Sequence, residues 1–203
     1  MRLPEGYLGI THKNSSAFAV SAALEWAHSV LYSGATLYEW ASQHCTRQMQ
    51  AGRGSTFIFP ALGRVENTTH WVARHYWRGG IIASSLDDRY LVTRRPRPFS
   101  ELLASVEARS RGIPTPRIIA GAVRRSGFFY RADLVTEYVP DVTNLASAVF
   151  RTKGSNLAFR TAALHAAGSL VHLLENQRVV HADLNASNIL VNQVGVVASA
   201  HVI

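Results

Sequence analysis

The chain has 203 residues, 47% of them hydrophobic, 9% aromatic and 17% charged. That composition excludes a disordered chain, a collagen-like fibre and a coiled coil, and the length suffices for one large domain or two small lobes around a real core. Lys and Arg number 21 against 13 Asp and Glu, a formal net charge of +8, and every cation except Lys13 and Lys153 is an arginine. A basic balance favours an anionic partner: nucleic acid, a phosphorylated substrate or an anionic membrane surface. An arginine-rich genome would give the same bias without any partner.

Cys45 is alone, so no internal disulfide can form, which points to a reducing compartment. The apolar stretch Ala17 to Leu24 is short and runs into Glu25, unlike a secretory signal. The longest run without Asp, Glu, Lys or Arg, Leu184 to Ile203, contains Asn185, Asn188, Asn192 and Gln193, which a membrane core would not accept cheaply. The chain reads as soluble, able to meet a membrane through its surface.

In chain order, residues 15–50 read as mostly helical, with two apolar patches split near Gly34. Gly52 to Ser55 is a tight turn and Thr56 to Pro60 a strand. Trp71 to Trp77 is a second strand, with Val72, Arg74 and Tyr76 on one face and Trp71, Ala73, His75 and Trp77 on the other. Thr93 to Phe99 is an Arg/Pro loop, and Phe99 to Arg109 a helix that ends before Gly112 and the Pro114-Thr115-Pro116 breaker. Arg117 to Val123 and Phe128 to Tyr138 are strands about Gly127, and Pro140-Asp141 marks a boundary. Helices near 143–150 and 156–175 follow, then a polar loop and a hairpin-like stretch turning at Gly195. A sheet lobe followed by a helical lobe, an α+β arrangement, accounts for this order.

The sharpest chemical signal is His181-Ala182-Asp183-Leu184-Asn185-Ala186-Ser187-Asn188, between a helix and the apolar strand Ile189 to Val191. It has the H-x-D-L-x-x-x-N spacing of a kinase catalytic loop. In that chemistry a carboxylate orients the attacking hydroxyl, and an amide oxygen five residues on reaches magnesium. The competing reading makes Asp183 a helix or turn cap. Upstream, Gly52, Gly54 and Ser55 could cradle phosphates through backbone N–H groups, or form an ordinary hairpin turn. Trp71-Val72-Ala73-Arg74 stands where a kinase carries V-A-I-K, which makes Arg74 a phosphate ligand and Glu101 its helix partner, unless Glu101 is simply solvated. Thr136-Glu137-Tyr138 falls where a hinge would offer backbone groups to adenine.

With these residues in hand, the chain resembles the lipopolysaccharide kinases. The matching segments are Gly52-Arg53-Gly54-Ser55-Thr56, RHYWRGG at 74–80, Asp88-Arg89-Tyr90, Arg97-Pro98-Phe99 with Glu101, residues 112–117, Tyr130 to Leu134, Thr136-Glu137 and HADLNASNIL at 181–190. RHYWRGG together with HADLNASN is similar to the branch acting on 3-deoxy-D-manno-octulosonic acid (Kdo); the heptose kinases are a looser match. The resemblance implies a protein-kinase-like fold in three parts: a helical extension over 1–50, a sheet-rich lobe over 51–138 and an incomplete helical lobe over 139–203. It implies ATP and Mg2+, and phosphorylation of the Kdo 4-hydroxyl on a Kdo-lipid A precursor at the cytoplasmic face of the inner membrane. Asp183 is then catalytic and Asn188 a metal ligand, with Gly52, Gly54, Ser55, Arg74, Glu101 and Glu137 at the nucleotide. His75 and Arg78 are candidate substrate contacts, Arg78 toward a sugar carboxylate or phosphate, against the plain reading of a strand-end loop. No nucleic-acid partner is expected, because neither an aromatic-basic sheet motif nor zinc spacing is present.

One feature departs from the pattern. A kinase carries a second metal-binding Asp after the strand that follows the catalytic loop. The resemblance to the family places it at His201, and no Asp or Glu follows Asp183. Two accounts stand open: a gene truncated or frameshifted near Gly195, which is favoured, or a remnant that binds nucleotide or anionic lipid without full metal binding.

Overall fold

The structure is a computed structural model that describes residues 2–51, 54–65, 68–77, 88–150, 157–194 and 197–203. The chain forms two compact units, one of residues 1–104 with 117–138, the other of residues 105–116 with 139–203.

The first unit is built on an antiparallel sheet. Its strands are β1 (Tyr7–His12), β2 (Ser15–Val20), β3 (Arg47–Ala51), β4 (Gly54–Val65), β5 (Thr68–His75), β6 (Tyr90–Leu91), β7 (Ile118–Ser126) and β8 (Phe129–Glu137). The order is β1-β2-β7-β8-β5-β4-β3, with β6 paired to β8. Pro60 sits where the β4–β5 register shifts, between Pro60 and Val65, a position that tolerates its missing N–H.

Residues 1–50 are therefore not a helical extension. β1 and β2 form a hairpin that joins the main sheet through β7, and helices begin only afterwards, with α1 (Leu24–Tyr32) and α2 (Leu37–His44). The reason lies in burial. β2 is flanked by strands on both sides and is almost wholly buried, so its residues Ala17-Phe18-Ala19-Val20 read as an unbroken apolar run. Such a run carries no period that separates strand from helix.

Each face of the sheet has its own cover. β5 alternates, and its Trp71 and Ala73 are fully buried. Trp71 packs against Trp26 of α1 and Phe59 of β4, at ring-centroid distances of 5.6 and 6.1 Å, and Trp26 meets Trp40 of α2 at 5.4 Å. A capping box starts α2: Glu39 N–H donates to Thr36 Oγ1 and Thr36 N–H to Glu39 Oε2. The opposite face lies under the first turns of α3 (Arg97–Ser110), where Phe99 meets Phe18 edge-to-face at 5.0 Å and Leu102 is fully buried. Gly121 of β7 lets Phe18 and Pro98 close over the sheet, since a Cβ there would collide with both.

In the second unit, α3 ends in a Schellman cap. Gly112 at φ 75° lets Ile113 N–H reach Ala108 O at 3.0 Å, and Ile113 and Ala108 join one core. After β9 (Val142–Asn144) and α4 (Leu145–Phe150) comes α5 (Leu157–Asn176), whose Ala163, Ala167, Leu170 and Leu174 form one buried stripe. By length and mean hydropathy, 1.2, α5 is the one described helix that could cross a membrane, yet that stripe packs in the core with Val191, Ala200 and Val202. These last residues belong to the hairpin of β10 (Ile189–Val194) and β11 (Val197–Val202), which with β9 makes a three-stranded sheet in the order β11-β10-β9.

Candidate functional site

The loop between α5 and β10 holds its own side chains in place. Asn188 Nδ2 donates to the Asp183 carbonyl at 2.8 Å and to Asp183 Oδ2 at 3.2 Å. Asn185 Nδ2 donates to the same carbonyl at 3.2 Å and to Asp183 Oδ1 at 3.0 Å. Asn185 Oδ1 in turn accepts Ser187 N–H at 2.8 Å, an Asx turn that fixes the spacing. Ala186 O accepts Ala146 N–H of α4, and Asn188 O accepts Ile203 N–H, so the loop is tied to its surroundings at both ends. The Asp183 carboxylate is exposed but oriented by two amides, rather than capping a helix.

Asn188 spends its N–H groups on Asp183, and its Oδ1 makes no hydrogen bond among the described residues. An amide oxygen beside a carboxylate is the donor set that magnesium accepts when phosphates and waters complete its shell, so these residues fit the ion. No cluster of three His, Cys, Asp or Glu that could hold a metal occurs among the described residues. His201 does not take the place of the missing carboxylate. It lies inside β11, paired opposite Leu190, rather than after the strand, and imidazole suits magnesium poorly.

The first unit brings together the other predicted pair. Arg74 on β5 and Glu101 on α3 meet at 2.5 Å, both side chains about half exposed, and the Arg74 guanidinium stands over the Tyr76 ring at 5.4 Å. Burial pushes the Tyr76 hydroxyl well above its ordinary value. Arg74 is paired in the sheet with Thr56, two residues beyond Gly54. Of the glycine turn, only Gly54 and Ser55 fall within the described residues. Gly52 lies outside the described residues; Gly54 is in β4, where a Cβ would strike the Trp77 indole, and Ser55 Oγ accepts from Gln48 and Gln50. Glu137 ends β8. Its N–H donates to Arg117 O and that of Tyr138 to His70 O, so neither is free for a base, and the hinge reading of Glu137 does not hold for its backbone donors.

His75 also departs from expectation. Its side chain is only 9% exposed and both ring nitrogens are engaged: Nδ1 with Asp133 Oδ1 at 2.7 Å, Nε2 with Asp88 Oδ2 at 3.2 Å. Asp133 Oδ2 accepts the Tyr38 N–H from the first turn of α2, and Asp88 Oδ2 meets Arg131 Nε at 2.6 Å. A ring so held cannot also grip a substrate. Burial alone would lower its pKa, but the hydrogen bonds and charges of Asp133 and Asp88 outweigh burial and hold it above the usual imidazole value. His75 thus ties β5, β8, α2 and the segment before β6 together, as a cation when protonated. The only sequence hint of this chain of partners is the charged residues set amid apolar strands. Arg78, the other substrate candidate, lies outside the described residues.

A sheet unit carrying an Arg–Glu pair, then a helical unit carrying an Asp–Asn loop ahead of a β-hairpin, is the layout of a protein-kinase-like fold. Residues 40–203 match the lipopolysaccharide kinase (Kdo/WaaP) family. Three proteins named 3-deoxy-D-manno-octulosonic acid kinase are among its relatives. That of Vibrio cholerae is 29% identical over 175 residues, covering 80% of this chain and 70% of the relative. That of Stenotrophomonas maltophilia is 34% identical, covering 70% and 53%, and that of Xanthomonas axonopodis pv. citri 38% identical, covering 60% and 47%. The chain thus spans between about half and 70% of their lengths. A solved structure titled WaaP in complex with acyl carrier protein is similar at a TM-score of 0.45 and 16% identity, over 85% of this chain and 65% of that one. The chain belongs to the lipopolysaccharide kinase (Kdo/WaaP) family.

Proposed function

We propose that this chain transfers a phosphoryl group from ATP to the 4-hydroxyl of Kdo on a Kdo-lipid A precursor, at the cytoplasmic face of the inner membrane. The observation that carries the reading is the Asp183–Asn188 lock inside a family-matched loop. Mg·ATP supplies the phosphoryl group and the neutralising charge. Asp183, held by Asn185 and Asn188, accepts a hydrogen bond from the incoming hydroxyl and takes up its proton as that oxygen bonds to the γ-phosphorus and the bond from phosphorus to the β,γ-bridging oxygen breaks, with ADP as the leaving group. Asn188 Oδ1 would hold the metal, and Arg74, steadied by Glu101, would meet the nucleotide phosphates. The charge of +8 suits an anionic lipid acceptor and an anionic membrane surface.

The test is transfer from Mg·ATP to a Kdo-bearing lipid A precursor, read by mass spectrometry. A gain of one phosphate that Asp183→Ala lowers by about 10²–10⁴-fold supports the reading. Because Asp183 is exposed, the same substitution should shift stability by no more than about 0.5 kcal/mol. Full activity in Asp183→Ala would remove Asp183 from the chemistry, and transfer to heptose instead of Kdo would move the chain to the other branch of the family.

A further inference from the structure

One rim of the first unit's sheet is both cationic and greasy. At its centre Val92 N–H donates to Phe128 O at 2.9 Å, and Leu91 pairs with Phe129, so Leu91, Val92 and Phe128 are neighbours across one rung. Their exposures are 57%, 37% and 84%. Scattered exposed apolar residues need no explanation, but three adjoining at one sheet tip form a patch. Gly127 at φ 58° makes the tight turn that thrusts Phe128 outward. Cations surround the patch. Arg94 and Arg95 follow β6, Arg125 is the last residue but one of β7, and all three are exposed. Asn14 Nδ2 donates to Arg125 O at 2.7 Å and Arg125 N–H to Asn14 O at 2.9 Å, which brings the β1–β2 turn and its exposed Lys13 to the same rim. Residues 11–14, 91–95 and 124–129 contain no Asp or Glu.

We propose that this rim docks the chain on an anionic bilayer, with Phe128, Leu91 and Val92 entering the headgroup region and the surrounding cations meeting lipid phosphates. The proposal rests on the membrane-surface part of the proposed function and gives that part a location. Lipid is favoured over nucleic acid by the aliphatic pair: Leu91 and Val92 offer a base no stacking face, whereas an interface takes aliphatic and aromatic side chains alike. Fixed positive charge without local acids complements anionic lipid.

The experiment is co-sedimentation of the full chain with phosphatidylcholine vesicles, with and without about 30% phosphatidylglycerol. Binding should require the anionic lipid and weaken in about 0.5 M NaCl. Replacing Arg94 and Arg95 with Gln should lower it by about fivefold each. The pair Leu91→Ser and Phe128→Ser should lower it by about tenfold or more at unchanged net charge. Equal binding to neutral vesicles, wild-type binding by the Leu91/Phe128 double variant, or displacement of the chain from vesicles by duplex DNA would each overturn the proposal. Phosphate transfer to a detergent-solubilised acceptor, measured alongside, separates the two readings. Anionic-vesicle binding that depends on Leu91 and Phe128 upholds the docking rim even where transfer fails.

Discussion

Replacing His75 by alanine probes the buried charge chain directly. The perturbation removes one cation from between two carboxylates whose side chains are 4% and 12% exposed. Among the described residues, the Asp133 carboxylate keeps the Tyr38 N–H, while Asp88 keeps Arg131. Breaking a buried pair by deleting one partner costs about 3–5 kcal/mol, and the half-exposed Arg131 on Asp88 argues for the lower end, about 3 kcal/mol. For a chain of this size that is a fall in Tm of about 6–12 °C. The sign with pH follows from the direction of the shift. The folded-state pKa of His75 lies above its unfolded value, so the stabilisation is complete below about pH 6.5 and is lost as pH rises through the folded pKa. Thermal or urea unfolding of wild type and His75→Ala at about pH 6 and about pH 9 measures this: the gap should be widest at the lower pH. A gap under about 1 kcal/mol at pH 6, or one that does not narrow by pH 9, would refute the argument that a doubly held imidazolium supports this unit.

Two further substitutions test neighbouring features. Arg74→Ala should raise the KM for ATP while costing less than about 1 kcal/mol in urea unfolding, because the Arg74–Glu101 pair is half exposed; a large stability loss with unchanged nucleotide kinetics would make the pair structural instead. Gly121→Ala should destabilise by about 1–3 kcal/mol, since the added Cβ meets the fully buried Phe18 ring and Pro98, and a neutral result by chemical denaturation would show that α3 can lift off the sheet freely.

What could be read from the sequence depended on whether the signal was local. The Asp183–Asn188 loop is a contiguous motif, and the α5 helix and the β10–β11 hairpin around it follow from apolar periodicity and a turn. The Arg74–Glu101 meeting was also legible, because Val72-Ala73-Arg74 stands where a kinase carries V-A-I-K and Glu101 is on the helix that follows. The His75 chain was not. Its members lie at 38, 75, 88, 131 and 133, and only the antiparallel pairing of β5 with β8, which sets His75 opposite Asp133, assembles them. Charged residues amid apolar strands, in Arg74-His75-Tyr76-Trp77 and Tyr130-Arg131-Ala132-Asp133, were the available hint. The β2 strand escaped notice because its near-complete burial erases the alternation that would mark a strand.

The β1–β2 hairpin also sets a timetable for synthesis. β2 finds its second neighbour in β7, where Ala17 faces Ala122, and Tyr7 Oη donates to Ile118 O at 2.6 Å. Roughly a hundred residues must leave the ribosome between these partners, which at about 5–20 residues per second leaves the apolar strand waiting for roughly 5–20 seconds. During that interval Ala17 to Val20 present an open, uncharged strand edge, the kind of template on which nascent chains pair wrongly. Trigger points for chaperone engagement on this protein should therefore cluster at its first strands, long before any residue of the Asp183–Asn188 loop has been made.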